Sequence, residues 1–142
     1  MSAGVKPCVA LCVDPDRIED IWPHARAFIE AAFDGERGDD DAEAMFADLV
    51  ARKSLLWIAW DDERKKIMAA ATTKLIKVSR GLVCWVTSCG GNDLKRWRDC
   101  LGVIEGYAKA EGCSHVRLSG REGWKVIFPD YRKTWVTLEK AL

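Results

Sequence analysis

The sequence lacks an excess of charge of either sign: Lys+Arg and Asp+Glu are both 22, and the formal net charge is zero. No global field draws the chain to DNA, RNA or an anionic membrane, so no nucleic-acid partner is expected from charge. It also lacks an apolar run of about 18 residues, the length a membrane-crossing helix needs, so no membrane partner is expected. The start, MSAGVKPCVALCV, has one lysine and a short apolar run interrupted by Pro7. It is too short and broken for a signal peptide, and a cytoplasmic location is expected. Cys-x2-Cys knuckles are missing, so no zinc site is expected from the six cysteines at 8, 12, 84, 89, 100 and 113. Without a secretory segment those thiols are expected reduced and packed as small hydrophobes. There are two histidines, His24 and His115, and neither has an acid and a nucleophile at recognisable spacing, so a hydrolase triad has no local support.

What is present suits one globular domain spanning residues 1–142. The length allows a real core and is short for two domains. Hydrophobic residues make up 49%, and seven tryptophans point to an aromatic-rich interior or an interface.

The chain divides into elements by periodicity. Val9 to Val13 reads as a short strand. Asp14-Pro15 offers a cap and a first-turn proline for a helix carrying Ile18, Ile21, Trp22, Ala25, Ile29 and Ala32. Pro23 inside that pattern predicts a kink or a break. GERGDDD is an acidic loop into a second helix with Ala42, Met45, Phe46, Leu49 and Val50 on one face. LLWIAW, Leu55 to Trp60, is apolar on both faces, as a central strand requires. DDERKK is a charged turn, normally solvated. Ile67 to Val78, the turn Ser79-Arg80-Gly81 and LVCWVTS complete an antiparallel meander. Asp93 to Glu111 is the most regular amphipathic helix, with Leu94, Trp97, Leu101, Ile104 and Ala108 on its stripe and Gly112 just past its end. A short strand follows at His115 to Leu118, then a short helix before Pro129, and Thr134 to Leu138 reads as a last strand. The strand, long helix and strand after the meander form one crossover with parallel strands. The fold class is therefore α/β (α+β), a mixed sheet with helices on both faces.

That order resembles the GNAT acyltransferase superfamily. The residues that carry the resemblance run from LLWIAWDDERKKIMAAATT through the Gly91 turn to VIEGYAKAEGCSHVRL. The C-terminal phrase GREGWKVIFPDYRKTWVTLEKAL is similar to that of small GNAT-like proteins of tailed phages and prophages. The resemblance implies acetyl-coenzyme A as cofactor. It implies a phrase Arg/Gln-x-x-Gly-x-Gly/Ala before the long helix, whose amides grip the pyrophosphate. Here that phrase falls on Asn92 to Trp97, and Lys95 and Trp97 stand at its glycine positions. Asn92 is a good N-cap and Asp93 a first-turn acid, while Gly90 and Gly91 suit a sharp turn with positive φ. Trp97 belongs to the apolar stripe. The candidate cofactor residues are thus the backbone of Cys89, Gly90, Gly91 and Asn92 with the side chains of Lys95 and Arg96.

The resemblance also implies a tyrosine acid on the short last helix. Its position falls near Ile127, and Tyr131, just past Pro129, is the catalytic candidate. The family's base is often a Glu on the meander, and the strands from Leu55 to Ser88 hold none. Thr72, Thr73, Thr87 and Ser88 are hydroxyl residues that orient a water or simply favour strands. Arg117, Arg121 and Arg132 lie near the C-terminal strands, with ion pairing to Glu122, Asp130 or Glu139 expected.

Three functions are consistent with these residues. The first is a GNAT-fold protein with a degenerate acetyl-coenzyme A site, serving as a non-catalytic or atypical accessory protein in a phage or prophage setting, in the host cell or with the virion. The second is an acetyl-coenzyme A-dependent N-acyltransferase with an unusual phosphate grip. The third is a structural homo-oligomer with Trp57, Trp60, Trp85 or Trp135 in an interface. Partners are then a second copy or a phage or host protein.

Overall fold

A computed structural model describes residues 6–33, 41–120 and 123–142. Most of the GERGDDD loop, together with Arg121 and Glu122, lies outside the described residues. The elements in chain order are β1 (Val9–Cys12), a 3-10 turn (Pro15–Arg17), α1 (Ile18–Ala32), α2 (Ala42–Val50), β2 (Leu55–Asp61), β3 (Lys66–Val78), β4 (Gly81–Gly91), α3 (Leu94–Trp97), α4 (Cys100–Ala110), β5 (His115–Leu118) and α5 (Gly123–Ile127).

The strands form one sheet in the order β1-β2-β3-β4-β5. The first four are mutually antiparallel, and β5 runs parallel to β4. The expected meander and crossover are both present. Ile18, Trp22, Ala25 and Ile29 of α1 and Met45 and Leu49 of α2 pack on Leu56, Ile58 and Ala70. Trp57, Ala71, Cys84 and Val86 face the other way, against Ile104 and Ala108 of α4. Strand β2 is therefore buried on both faces, as its unbroken apolar run requires. Leu56 is 0% exposed in the first of these clusters. Leu56→Ala is expected to cost about 2–5 kcal/mol, read as a lower urea midpoint at unchanged slope. A loss below about 1 kcal/mol would mean that this layer is not close-packed.

Several local expectations are corrected. Helix α1 runs unbroken through Pro23. Pro23 lies on the exposed side, where the carbonyl it leaves unbonded can turn to water. The single helix expected over Asp93 to Glu111 is divided into α3 and α4. Its cause is a diverted acceptor: the Arg96 carbonyl takes the N–H of Cys8 at 2.7 Å, instead of the amide four residues on. The strand expected at Thr134 to Leu138 is absent, and this segment has no regular structure. Its residues have strand propensity, but a strand exists only with a partner ladder. Trp135 is 77% exposed there, whereas Trp57 is buried and so is not free to form an interface.

The thiols are more varied than expected. Cys8 and Cys84 are buried, Cys89, Cys100 and Cys113 half-buried, and Cys12 exposed. Burial raises all six above the ordinary thiol range, which favours the thiol over the thiolate.

Candidate functional site

The cleft is set by where β5 leaves β4. Their pairing ends at Val86↔Leu118, while β4 continues to Gly91. At that point β4 carries an extra residue: Thr72 pairs with Ser88 and Thr73 with Val86, which leaves Thr87 as a bulge. Bulges of this kind re-aim the chain beside functional sites. Asn92 donates its N–H to Met68 O across the sheet at 2.9 Å. Strand alternation then turns the N–H groups of Cys89 and Gly91 to the opposite edge, which β5 leaves uncovered.

The glycines themselves are strand residues. Positive φ occurs at Gly81 and Gly112, and not at Gly90 or Gly91, so the expected glycine turn is corrected. They are needed instead for close packing. A Cβ on Gly90 would sit 2.4 Å from the Phe28 carbonyl oxygen, and one on Gly91 2.4 Å from the Ala69 Cβ. The sharp turn falls on Asp93, with φ 56°, and Asp93 rather than Asn92 occupies the N-cap position of α3. Its side chain makes no capping bond. Asn92 acts through its carbonyl, which accepts the Trp97 indole N–H at 2.9 Å. Trp97 is buried, as its place on the stripe predicts.

The two candidate cations separate. Lys95 is exposed, and Arg96 is 6% exposed. The Arg96 Nη1 donates to Asp61 Oδ2 at 2.5 Å, and its Nε and Nη2 donate to the Lys6 carbonyl at 3.2 and 2.9 Å. Asp61, expected to be a solvated turn acid, is 1% exposed. Its other oxygen accepts the N–H groups of Glu63 and Arg64. The Arg96 hydrogen bond, then those amides, hold its carboxyl down at about 2. No short-range pattern marks this pair, because its members are 35 positions apart.

A cavity of about 340 Å³ opens beside the cleft. Arg98, Asp99, Leu101, Gly102 and Glu105 line one wall and Ile127 to Tyr131 the other. Tyr131 follows α5 in a turn closed by its N–H to the Phe128 carbonyl. Its hydroxyl donates to Glu105 Oε2 at 2.6 Å. Burial first, and then Glu105, raise the phenol well above its ordinary value. The aromatic chain Trp97–Trp124–Phe128–Tyr131, with neighbouring centroids 5.7 to 6.4 Å apart, fastens this segment to α3.

Thr87 and Ser88, with Thr72 opposite, lie where the cleft opens, and the remaining candidates lie elsewhere. Thr72, Thr87 and Ser88 hydroxyls bond to one another, and Thr73 accepts the Trp57 indole N–H. His24 is exposed, and His115 bonds the neighbouring Ser114 hydroxyl. Arg117 lies over the Trp85 ring and, among the described residues, pairs with no carboxylate.

The overall fold is similar to that of solved acetyltransferase structures. A crystal structure described as a probable acetyltransferase superposes with a TM-score of 0.68 at 11% identity, over 94% of this chain and 96% of its own. An aminoglycoside acetyltransferase from an uncultured soil metagenomic sample gives 0.68 at 10%, over 94% and 95%. Glucosamine-6-phosphate N-acetyltransferase from Arabidopsis thaliana gives 0.62 at 13%, over 96% and 99%. No protein-family model matches the sequence, and neither does any curated protein. At these identities the likeness establishes the fold alone: the chain has a GNAT-like acetyltransferase fold.

Proposed function

We propose that this GNAT-fold protein has a degenerate acetyl-coenzyme A site and serves in binding or assembly rather than catalysis. The observation that carries this reading is the engagement of Arg96. A pyrophosphate needs cations and open amides at the helix entry. Arg96, the cation placed there by sequence, faces inward to Asp61 and Lys6. The charge around the cavity supports the same reading. Asp99, Glu105 and Asp130 oppose the single cation Arg98 there, and they repel a polyanionic cofactor. The C-terminal phrase supports a phage or prophage setting, which the flanking genes test.

One observation favours the alternative of a working N-acyltransferase. The uncovered edge of β4 offers the amides of Cys89 and Gly91 to an extended ligand, and Tyr131 lines the adjoining cavity. Lys95 would then supply the phosphate contact.

Calorimetry with acetyl-coenzyme A separates the two. The degenerate site predicts no heat of binding at millimolar cofactor. Micromolar binding that weakens about tenfold in Lys95→Ala would discard it in favour of the enzyme. Lys95 is the clean probe, because Arg96→Ala also removes a buried partner of Asp61.

A further inference from the structure

We infer that the far end of the β3–β4 hairpin docks the phosphate backbone of a nucleic acid. The zero net charge conceals a segregation. Residues 1–63 carry 15 acids and six cations, and residues 64–142 carry seven acids and 16 cations. Between Glu63 and Asp93 there is no acid at all, while Arg64, Lys65, Lys66, Lys74, Lys77 and Arg80 are all cationic. A charge difference of this kind between two parts of a chain is a footprint of polyanion binding even when the total is neutral.

The fold projects these cations outward. Strand β2 leaves β3 at Leu55↔Thr73. From Lys74 to Val78, therefore, β3 pairs with β4 alone and forms an arm about 16 Å long. Strand β5 flanks β4 along Val83 to Val86. Lys74, Trp85 and Arg117 are direct cross-strand partners, so they stand in one row on one face. The Lys74 ammonium lies 5.4 Å and the Arg117 guanidinium 5.9 Å from the centre of the Trp85 ring. The indole N–H donates to Ser119 Oγ at 2.7 Å, which fixes the ring between the two cations. Lys77 and Arg80 are exposed toward the tip.

Among the described residues these four cations also lack a counter-charge. At the other end of the hairpin, Arg64 pairs with Asp61 and Lys65 with Asp62. Among the described residues, Lys74, Lys77, Arg80 and Arg117 form no ion pair with a carboxylate. The surface lies at the Gly81 end of β4, opposite the Thr87–Gly91 cleft, so it stands independently of the cofactor question.

Charge density selects the occupant. A second copy in a twofold contact would bring the same cations against these. An extended acidic peptide places same-face carboxylates roughly 6.6 Å apart. Duplex DNA carries one charge per about 1.7 Å of axis and releases condensed counterions when cations approach. Lys74 and Arg117 on one face, Lys77 on the other and Arg80 at the tip gain most from the denser polymer. Nothing in the row is poised to read base edges, so binding is independent of sequence.

The test is fluorescence anisotropy of the full chain with labelled 20-base-pair DNA and a 20-nucleotide single strand. Four phosphate contacts predict a log–log salt slope of roughly −3 to −4, a loss of about 50- to 150-fold between 50 and 200 mM salt. The triple variant Lys74→Glu, Lys77→Glu, Arg80→Glu, shown folded by circular dichroism, is expected to bind at least about tenfold more weakly and with a shallower slope. Lys125→Glu, on α5, should leave binding unchanged. Preference for the duplex or for the strand names the source of the phosphates, and either supports the inference. No binding at 50 mM salt overturns it. So does an undiminished triple variant, or hexaglutamate bound as tightly as DNA.

Discussion

Arg96→Met is expected to lower the melting temperature by about 10 °C or more, because it strands a buried carboxylate. Arg96 holds the buried Asp61 carboxylate and the Lys6 carbonyl together. Asp61→Asn is milder, since an amide can still accept from Glu63 and Arg64. Replacing both partners, as Asp61→Leu with Arg96→Met, should recover part of the loss, for it removes the uncompensated charge. A double variant no better than the single one would show that the Lys6 contacts, and not the ion pair, matter most. The pH dependence gives a second reading. The Asp61 carboxyl is depressed from 3.8 to about 2 in the folded chain. Its contribution is therefore complete above about pH 4 and is lost as pH falls toward 2. Thermal unfolding across that range should be steeper in the parent than in Asp61→Asn.

Gly90→Ala is the second large effect, expected to cost about 1–3 kcal/mol or more by overpacking. The added methyl meets the Phe28 carbonyl oxygen at 2.4 Å, a backbone atom of α1 that cannot swing aside. Relief requires α1 to lift from β4 and to disturb the layer around Ile29 and Ala25. Gly102→Ala is the internal control. It lies in α4 with open space at its Cβ, and it should stabilise by about 0.5–1 kcal/mol through helix propensity. Equal effects at the two positions would sink the close-approach account. Urea midpoints measure all of these.

How much was legible in advance follows from the range of the forces involved. The two-sided burial of Leu55 to Trp60, the stripe through Ile104 and Ala108, and the positive φ at Gly112 are written in neighbouring residues. The meander and the parallel crossover followed from tight turns and one long connection, whereas the place of β1 beside β2 did not. What was missed depends on partners remote in sequence. Asp61 looks like any turn acid until Arg96 arrives from across the chain. Gly90 and Gly91 look like a loop until the approach of Phe28 and Ala69 gives them another purpose. The interruption between α3 and α4 has no local cause, because it comes from Cys8. Tyr131 could be nominated from its place after Pro129, but its bond to Glu105 required the fold.

The seam joining Lys6 and Cys8 to Arg96 bears on how the molecule assembles as it is made. Synthesis delivers the first strand long before its clasp exists, since some 90 positions separate the two sides. Closing so wide a loop is slow and entropically costly. The leading edge of the sheet must therefore wait, incompletely fastened, until the ribosome has released the second half of the polypeptide.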